Sequence, residues 1–256
     1  MKQVLLLRWT EGLSDKELTQ LCSILNKNQK HESFRFVPYD NSLRFPPTRG
    51  VDHIYTYDQL YKVIKETKTF IKHRVGIISM PLVGACFNKQ SVSEHVGVVT
   101  LHDVEEYKIK ELSTRKYLSY LVLCVAMCLV TDLDLEEDHV PNKCLFDFCG
   151  EKKTFRECLS KPLICPSCLE KLSEKLDNNE IADMKSIFKY ATRKNFFAVL
   201  WATIKSATFF YGMLTSSLFT LSYKLINSAG STPEVWVFGG AILILLIIAA
   251  FRKFKK

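Results

Sequence analysis

Two cysteine couples constrain this chain more than any other feature. Cys144-x4-Cys149 is followed after fifteen residues by Cys165-x2-Cys168. Couples at these spacings place thiolates on two separate turns, the arrangement a tetrahedral metal ion needs. Binding such an ion supplies folding free energy to a short segment that lacks a core of its own. The spacing therefore predicts zinc held by Cys144, Cys149, Cys165 and Cys168, with His139 as an alternative ligand to Cys149. Four protein ligands leave no open position for a substrate, so a structural role is the expectation. Lys152, Lys153 and Lys161 stand nearby to offset the thiolate charge. Against a redox role, the Cys165–Cys168 couple is not expected to open a helix directly after a strand, as a thioredoxin-like couple would.

The rest of the cysteine usage fits a reducing compartment. The chain has nine cysteines, an odd count, and Cys22, Cys86, Cys124 and Cys128 lie in apolar or helical patterns where buried thiols are common. Cys158 is expected to pack rather than ligate. The N-terminal apolar run, Val4 to Leu7, is too short for a signal-peptide core.

Ahead of the cysteines the pattern alternates strands with helices, which argues for an α/β layered domain. Strands are expected at Val4 to Leu7, Phe34 to Val37, Val75 to Met80 and Val96 to Leu101. Ser14 with Glu17 forms a capping-box signal for a helix carrying Leu18, Leu21, Ile24 and Leu25. A second helix is expected from Tyr57 to His73, with Leu60, Val63, Ile64 and Phe70 on one face. Asp40 to Gly50 reads as a loop. Leu112 to Val130 is apolar enough to span a bilayer, but its flanking charges favour a central core helix.

After Phe196 the composition changes. Val235 to Phe251 contains no charge, and seventeen residues at 1.5 Å rise cover about 26 Å, near the lower limit for a bilayer core. Phe196 to Tyr223 is a second apolar stretch, interrupted only by Lys205. Arg193-Lys194 precede the pair and Arg252 to Lys256 follow it, which places both ends in the cytoplasm by the positive-inside rule. The expected organisation is an α/β core over 1–138, a zinc-binding segment over 139–175 and a basic linker helix over 176–195. A membrane hairpin over 196–256 would span at about 204–223 and 235–251. Much of the net charge of +8 lies in these flanking clusters, which suits anionic lipid better than nucleic acid.

The phrase Cys144-Leu-Phe-Asp-Phe-Cys149, followed by Ile164-Cys165-Pro-Ser-Cys168, resembles the cysteine site of archaemetzincin-like metallopeptidases. It also looks like a zinc module in uncharacterised bacterial proteins linked to membranes and antiphage defence. The resemblance implies a zincin-like mixed α/β fold. That family carries H-E-x-x-H-x-x-G-x-x-H just before the first of these cysteines. Here Tyr117 to Val130 contains neither histidine nor glutamate, so the metal ligands and the general base of hydrolysis are missing. The gap between the couples is also shorter than the family's.

The resemblance thus implies a silent relative that keeps the structural zinc, with a protein partner or second copy of itself as its target. Two other readings remain open: a membrane-bound metal-dependent hydrolase, or an adaptor tethering an enzyme to the membrane. A weaker acid–base or metal site can be assembled from His95, His102, Asp103, Glu105 and Glu106. Cys86 in its loop is a further candidate nucleophile.

Overall fold

A computed structural model describes residues 1–9, 12–44, 56–82, 86–107, 109, 112–135, 143–147, 156, 158–159 and 162–194. The chain divides into two compact units, Met1–Val199 and Leu200–Lys256. All described residues belong to the first, so the expected membrane hairpin lies outside them.

Five strands form one sheet: β1 (Lys2–Arg8), β2 (Phe34–Pro38), β3 (His73–Ile78), β4 (Asn88–Ser91) and β5 (Val96–Thr100), in the order β2-β1-β3-β5-β4. The first three pairings are parallel and β4 joins β5 antiparallel. Side-chain alternation splits β1 between two cores. Val4 and Leu6 join one buried cluster, and Leu5 and Leu7 join the other. Both faces of the sheet are therefore covered, as a parallel sheet requires.

Helix α1 (Asp15–Lys27) begins where the capping box predicts. Ser14 accepts from the Glu17 N–H, and the Glu17 carboxylate accepts from the Ser14 N–H at 2.9 Å. Its buried Leu18, Leu21, Cys22 and Leu25 pack in the same cluster as Val4 and Leu6. On the opposite face lies α2 (Tyr57–Lys65), whose Leu60, Tyr61 and Ile64 meet Leu5, Leu7, Val96 and Val98.

The expected helix from Tyr57 to His73 is a correction: it ends at Lys65, capped at Glu66. His73 is the first residue of β3, paired with Val4, so the chain must turn before it. Phe70, placed by periodicity on the apolar face, is fully exposed.

After the four-residue α3 (Val104–Tyr107) comes α4 (Thr114–Thr131), started by Ser113 and buried at every residue from Tyr117 to Thr131. By length and composition it is able to cross a membrane, but here it is the central helix of the larger core. Close approach of helix and sheet depends on two glycines. A Cβ at Gly97 would overlap Val125 Cγ1 of α4, and one at Gly76 would lie 2.7 Å from Ile64 Cδ1 of α2.

The last described elements are α5 (Pro166–Ser173) and α6 (Asn178–Thr192). The segment expected as a basic linker helix holds the helix α6, whose Met184, Ile187 and Ala191 are buried in the cluster that holds α4. Its Asp177 and Glu180 form a reciprocal cap, an arrangement that satisfies the first free N–H groups of a helix.

Candidate metal centre

Cys144, Cys165 and Cys168 converge. All three are buried, and their Sγ atoms lie within 4.8 Å of one another. A tetrahedral zinc with Zn–S near 2.3 Å requires sulfurs about 3.8 Å apart, a separation that lies inside this bound. Among the described residues this is the one group of three or more His, Cys, Asp or Glu close enough to share a metal ion. None of the eight described cysteines forms a disulfide.

Two local structures bring the sulfurs together. Residues 143–145 run parallel to Leu163: the Leu145 N–H donates to the Leu163 carbonyl at 2.8 Å, and the Leu163 N–H to the Lys143 carbonyl at 3.2 Å. Lys143 adopts a left-handed backbone, φ 73°, at the entry to a turn that the Asp147 N–H closes onto the Cys144 carbonyl at 3.1 Å. The second structure is the start of α5. Cys165 is its N-cap and Pro166 its first helical residue, a position where the missing N–H of proline is harmless. The Cys165 Sγ accepts the Cys168 N–H at 3.4 Å, while the Cys165 N–H donates to the Cys144 Sγ at 3.3 Å.

Backbone donors thus point at sulfur, and the positive end of a helix dipole lies beside it; both favour thiolate over thiol. The Cys168 thiol donating to Cys144 holds Cys144 below the usual thiol range, burial opposes this, and the N–H groups of Cys165 and Phe146 reinforce it. The same contact, with burial, pushes Cys168 up. The contact thus favours the thiolate at Cys144 over that at Cys168, and a cation displacing the remaining proton would complete the ligation.

The Cys165–Cys168 couple does open a helix, α5, but not directly after a strand, the arrangement a thioredoxin-like couple would need. What precedes it is an isolated bridge at Leu163, not a strand of the sheet.

Of the other predicted ligands, Cys149 and His139 lie outside the described residues, as do Lys152, Lys153 and Lys161. Cys158 is buried, with its Sγ 4.0 Å from the Asp147 carboxylate, and lies outside the three-sulfur cluster. Asp147 was missed by sequence reasoning. It is buried, and its Oδ2 accepts the Cys144 N–H at 2.9 Å, fixing the turn that presents this sulfur. The signal was present: a lone acid between Phe146 and Phe148 has to find donors if it is buried.

The second candidate site is not assembled. His95 and His102 sit just beyond opposite ends of β5. His95 pairs with Asp132 after α4 at 3.2 Å, and His102 with its neighbour Asp103 at 2.9 Å. Glu105 accepts from the Thr114 hydroxyl at 2.8 Å, and the Glu106 carbonyl accepts from Arg156. Cys86 is buried, which removes it from ready attack on a substrate.

Among solved structures, archaemetzincin from Methanopyrus kandleri is similar to this chain, with a TM-score of 0.49 and 14% identity, covering 69% of this chain and 96% of that one. No protein-family description matches the sequence, and no curated protein matches it.

Proposed function

We propose that this chain is a membrane-anchored, cytoplasm-facing zinc protein whose metal serves structure and whose role is interaction or effector work rather than catalysis. The carrying observation is the convergence of three buried sulfurs from two turns 21 residues apart. Cys144, Cys165 and Cys168 would hold the ion with Cys149 as fourth ligand, or His139 in its place. A bound ion would cross-link the Cys144 turn to the start of α5. Around it, Asp147 fixes the Cys144 turn and the α5 N-terminus orients the other two thiolates.

Supporting a non-catalytic reading, the three described cysteines of the cluster are all buried. The helix α4, where the resemblance would put catalytic histidines, has only buried side chains from Tyr117 to Thr131 and none of them is His or Glu. Supporting the anchor, the two apolar stretches after Phe196 are flanked by basic clusters on both outer sides. The resemblance to membrane-linked defence proteins extends the proposal to an effector that perturbs membranes when it oligomerises or meets a partner.

Two measurements on the expressed chain test this. Retention in the membrane fraction after alkaline carbonate, with one zinc per chain, is expected. A chain released into solution and free of zinc overturns the reading. For the effector role, toxicity on expression should disappear when 196–256 is deleted; toxicity that survives the deletion points to soluble chemistry.

A further inference from the structure

We propose that the solvent face at the C-terminal end of α6, together with the first turn of α4, is a docking surface for the headgroups of an anionic lipid bilayer. This rests on the anchored reading above and specifies which face of the domain meets the membrane.

Three cations form a stripe along α6. Lys185, Lys189 and Arg193 follow one another at four-residue spacing, all are exposed, and Lys194 continues the run. No acidic residue occurs between Met184 and Lys194. Like charges four apart on a helix repel, a penalty at Lys185 and Lys189 that the helix dipole offsets only in part for Lys189, in the last turn, and Arg193, the C-cap.

A second set of cations is brought to the same end. Arg115 and Lys116 occupy the first turn of α4, which holds no acid, although a helix N-terminus favours anions. Lys116 Nζ donates to the Arg193 carbonyl at 2.5 Å and lies 5.8 Å from the centre of the Tyr190 ring. Burial, and then the Arg193 charge, lower the Lys116 pKa. Arg115, exposed, donates to Gln20 at 2.7 Å, and its charge also reaches Glu17. The fold thus gathers cations from two helices at one end against two local electrostatic penalties. A surface of phosphate groups relieves both.

Lipid is favoured as the source of those phosphates by covalent position. Lys194 stands two residues before Phe196, where the first apolar stretch begins. Basic groups beside a membrane segment gain from the negative cytoplasmic leaflet within about a Debye length, roughly 8 Å at physiological salt.

Amine footprinting of the full-length chain with vesicles tests the proposal. One set is phosphatidylcholine alone and the other contains roughly 30% phosphatidylserine, which supplies the anionic surface. Lys185, Lys189 and Lys194 should react several-fold more slowly on the anionic set, up to about fivefold each. Exposed Lys62 and Lys68, on and just after α2, should react alike on both sets. Adding about 0.5 M salt should erase the difference. The double variant Lys185→Glu/Lys189→Glu should reduce the protection of Lys194. Equal reactivity on both vesicle types overturns docking while insertion into both leaves the anchor standing. Binding only to anionic vesicles, and release by salt, supports docking and overturns the anchor. No association with either type overturns both. Protection of the same lysines by heparin without any bilayer, equal to that on anionic vesicles, also overturns the lipid assignment.

Discussion

The carboxylate of Asp183 in α6 accepts the backbone N–H of Ser33 at 2.9 Å, joining residues 150 positions apart. The same carboxylate takes the N–H groups of Lys30 at 2.7 Å and His31 at 3.1 Å, so one buried acid organises the whole turn from α1 into β2. Burial alone would raise its pKa, but the donors at Ser33, His31 and Lys30 more than offset this, and the net shift is downward. Replacing it with alanine strands three donors as well as removing the tie. We expect Asp183→Ala to cost about 3–5 kcal/mol in urea unfolding, and Asp183→Asn less because one acceptor remains.

The acid limb of stability follows from the same group. A carboxyl with a depressed folded pKa contributes stability that is complete above its ordinary value of 3.8 and is lost as pH falls through the lower folded value. The midpoint of urea unfolding should drop below pH 4, and this drop should shrink in Asp183→Asn. An identical acid limb in the variant contradicts the assignment.

His73 adds a window at milder pH. Burial, reinforced by the Lys72 and His95 charges, lowers its pKa below 6.5, while the Gln3 carbonyl and Asp132 act the other way. The unfolded chain therefore takes up this proton before the folded one does. Stability is complete above about pH 6.5 and falls with decreasing pH until the folded value is passed. Carbon-bound ring protons followed by NMR should titrate below the ordinary histidine range at His73. A titration at or above 6.5 contradicts this.

Gly97 and Gly76 make a graded pair. In Gly97→Ala the new methyl meets Val125 Cγ1, a β-branched side chain with little rotamer freedom inside a fully buried helix, and we expect a loss of about 1–3 kcal/mol. Gly76→Ala meets mainly the outer end of the Ile64 side chain, Cδ1 at 2.7 Å and Cγ1 at 3.2 Å, which can swing aside, so a smaller loss is expected. Val125→Ala in the Gly97→Ala background should recover part of the loss. Strict additivity of the two substitutions would contradict the contact.

Elements with local signals were legible. The Ser14/Glu17 box marks the start of α1, and runs such as Val96 to Thr100, buried on both faces, announce interior strands. The polar β4, Asn88-Lys-Gln-Ser91, carries no apolar pattern because it is an edge strand paired to β5 alone. The α2 helix was read too long because Phe70 continues its periodicity, while the pairing of His73 with Val4, which ends it, is a tertiary fact. At the metal centre the cysteine spacings reported Cys144, Cys165 and Cys168. Asp147 and the capping role of Cys165 depend on how the turns fold back, which spacing does not encode. Asp183 is the same case at longer range.

The most direct test of the account is the X-ray absorption spectrum at the zinc edge of the purified full-length chain. A shell of four sulfurs near about 2.3 Å is predicted, or three sulfurs with one imidazole nitrogen if His139 replaces Cys149. It should collapse in Cys144→Ser and Cys165→Ser but persist in Cys22→Ser, whose thiol, pushed up to about 12 by burial in the α1 core, lies far from any metal role. A shell dominated by nitrogen and oxygen, or a folded chain that holds no zinc, would contradict the central claim.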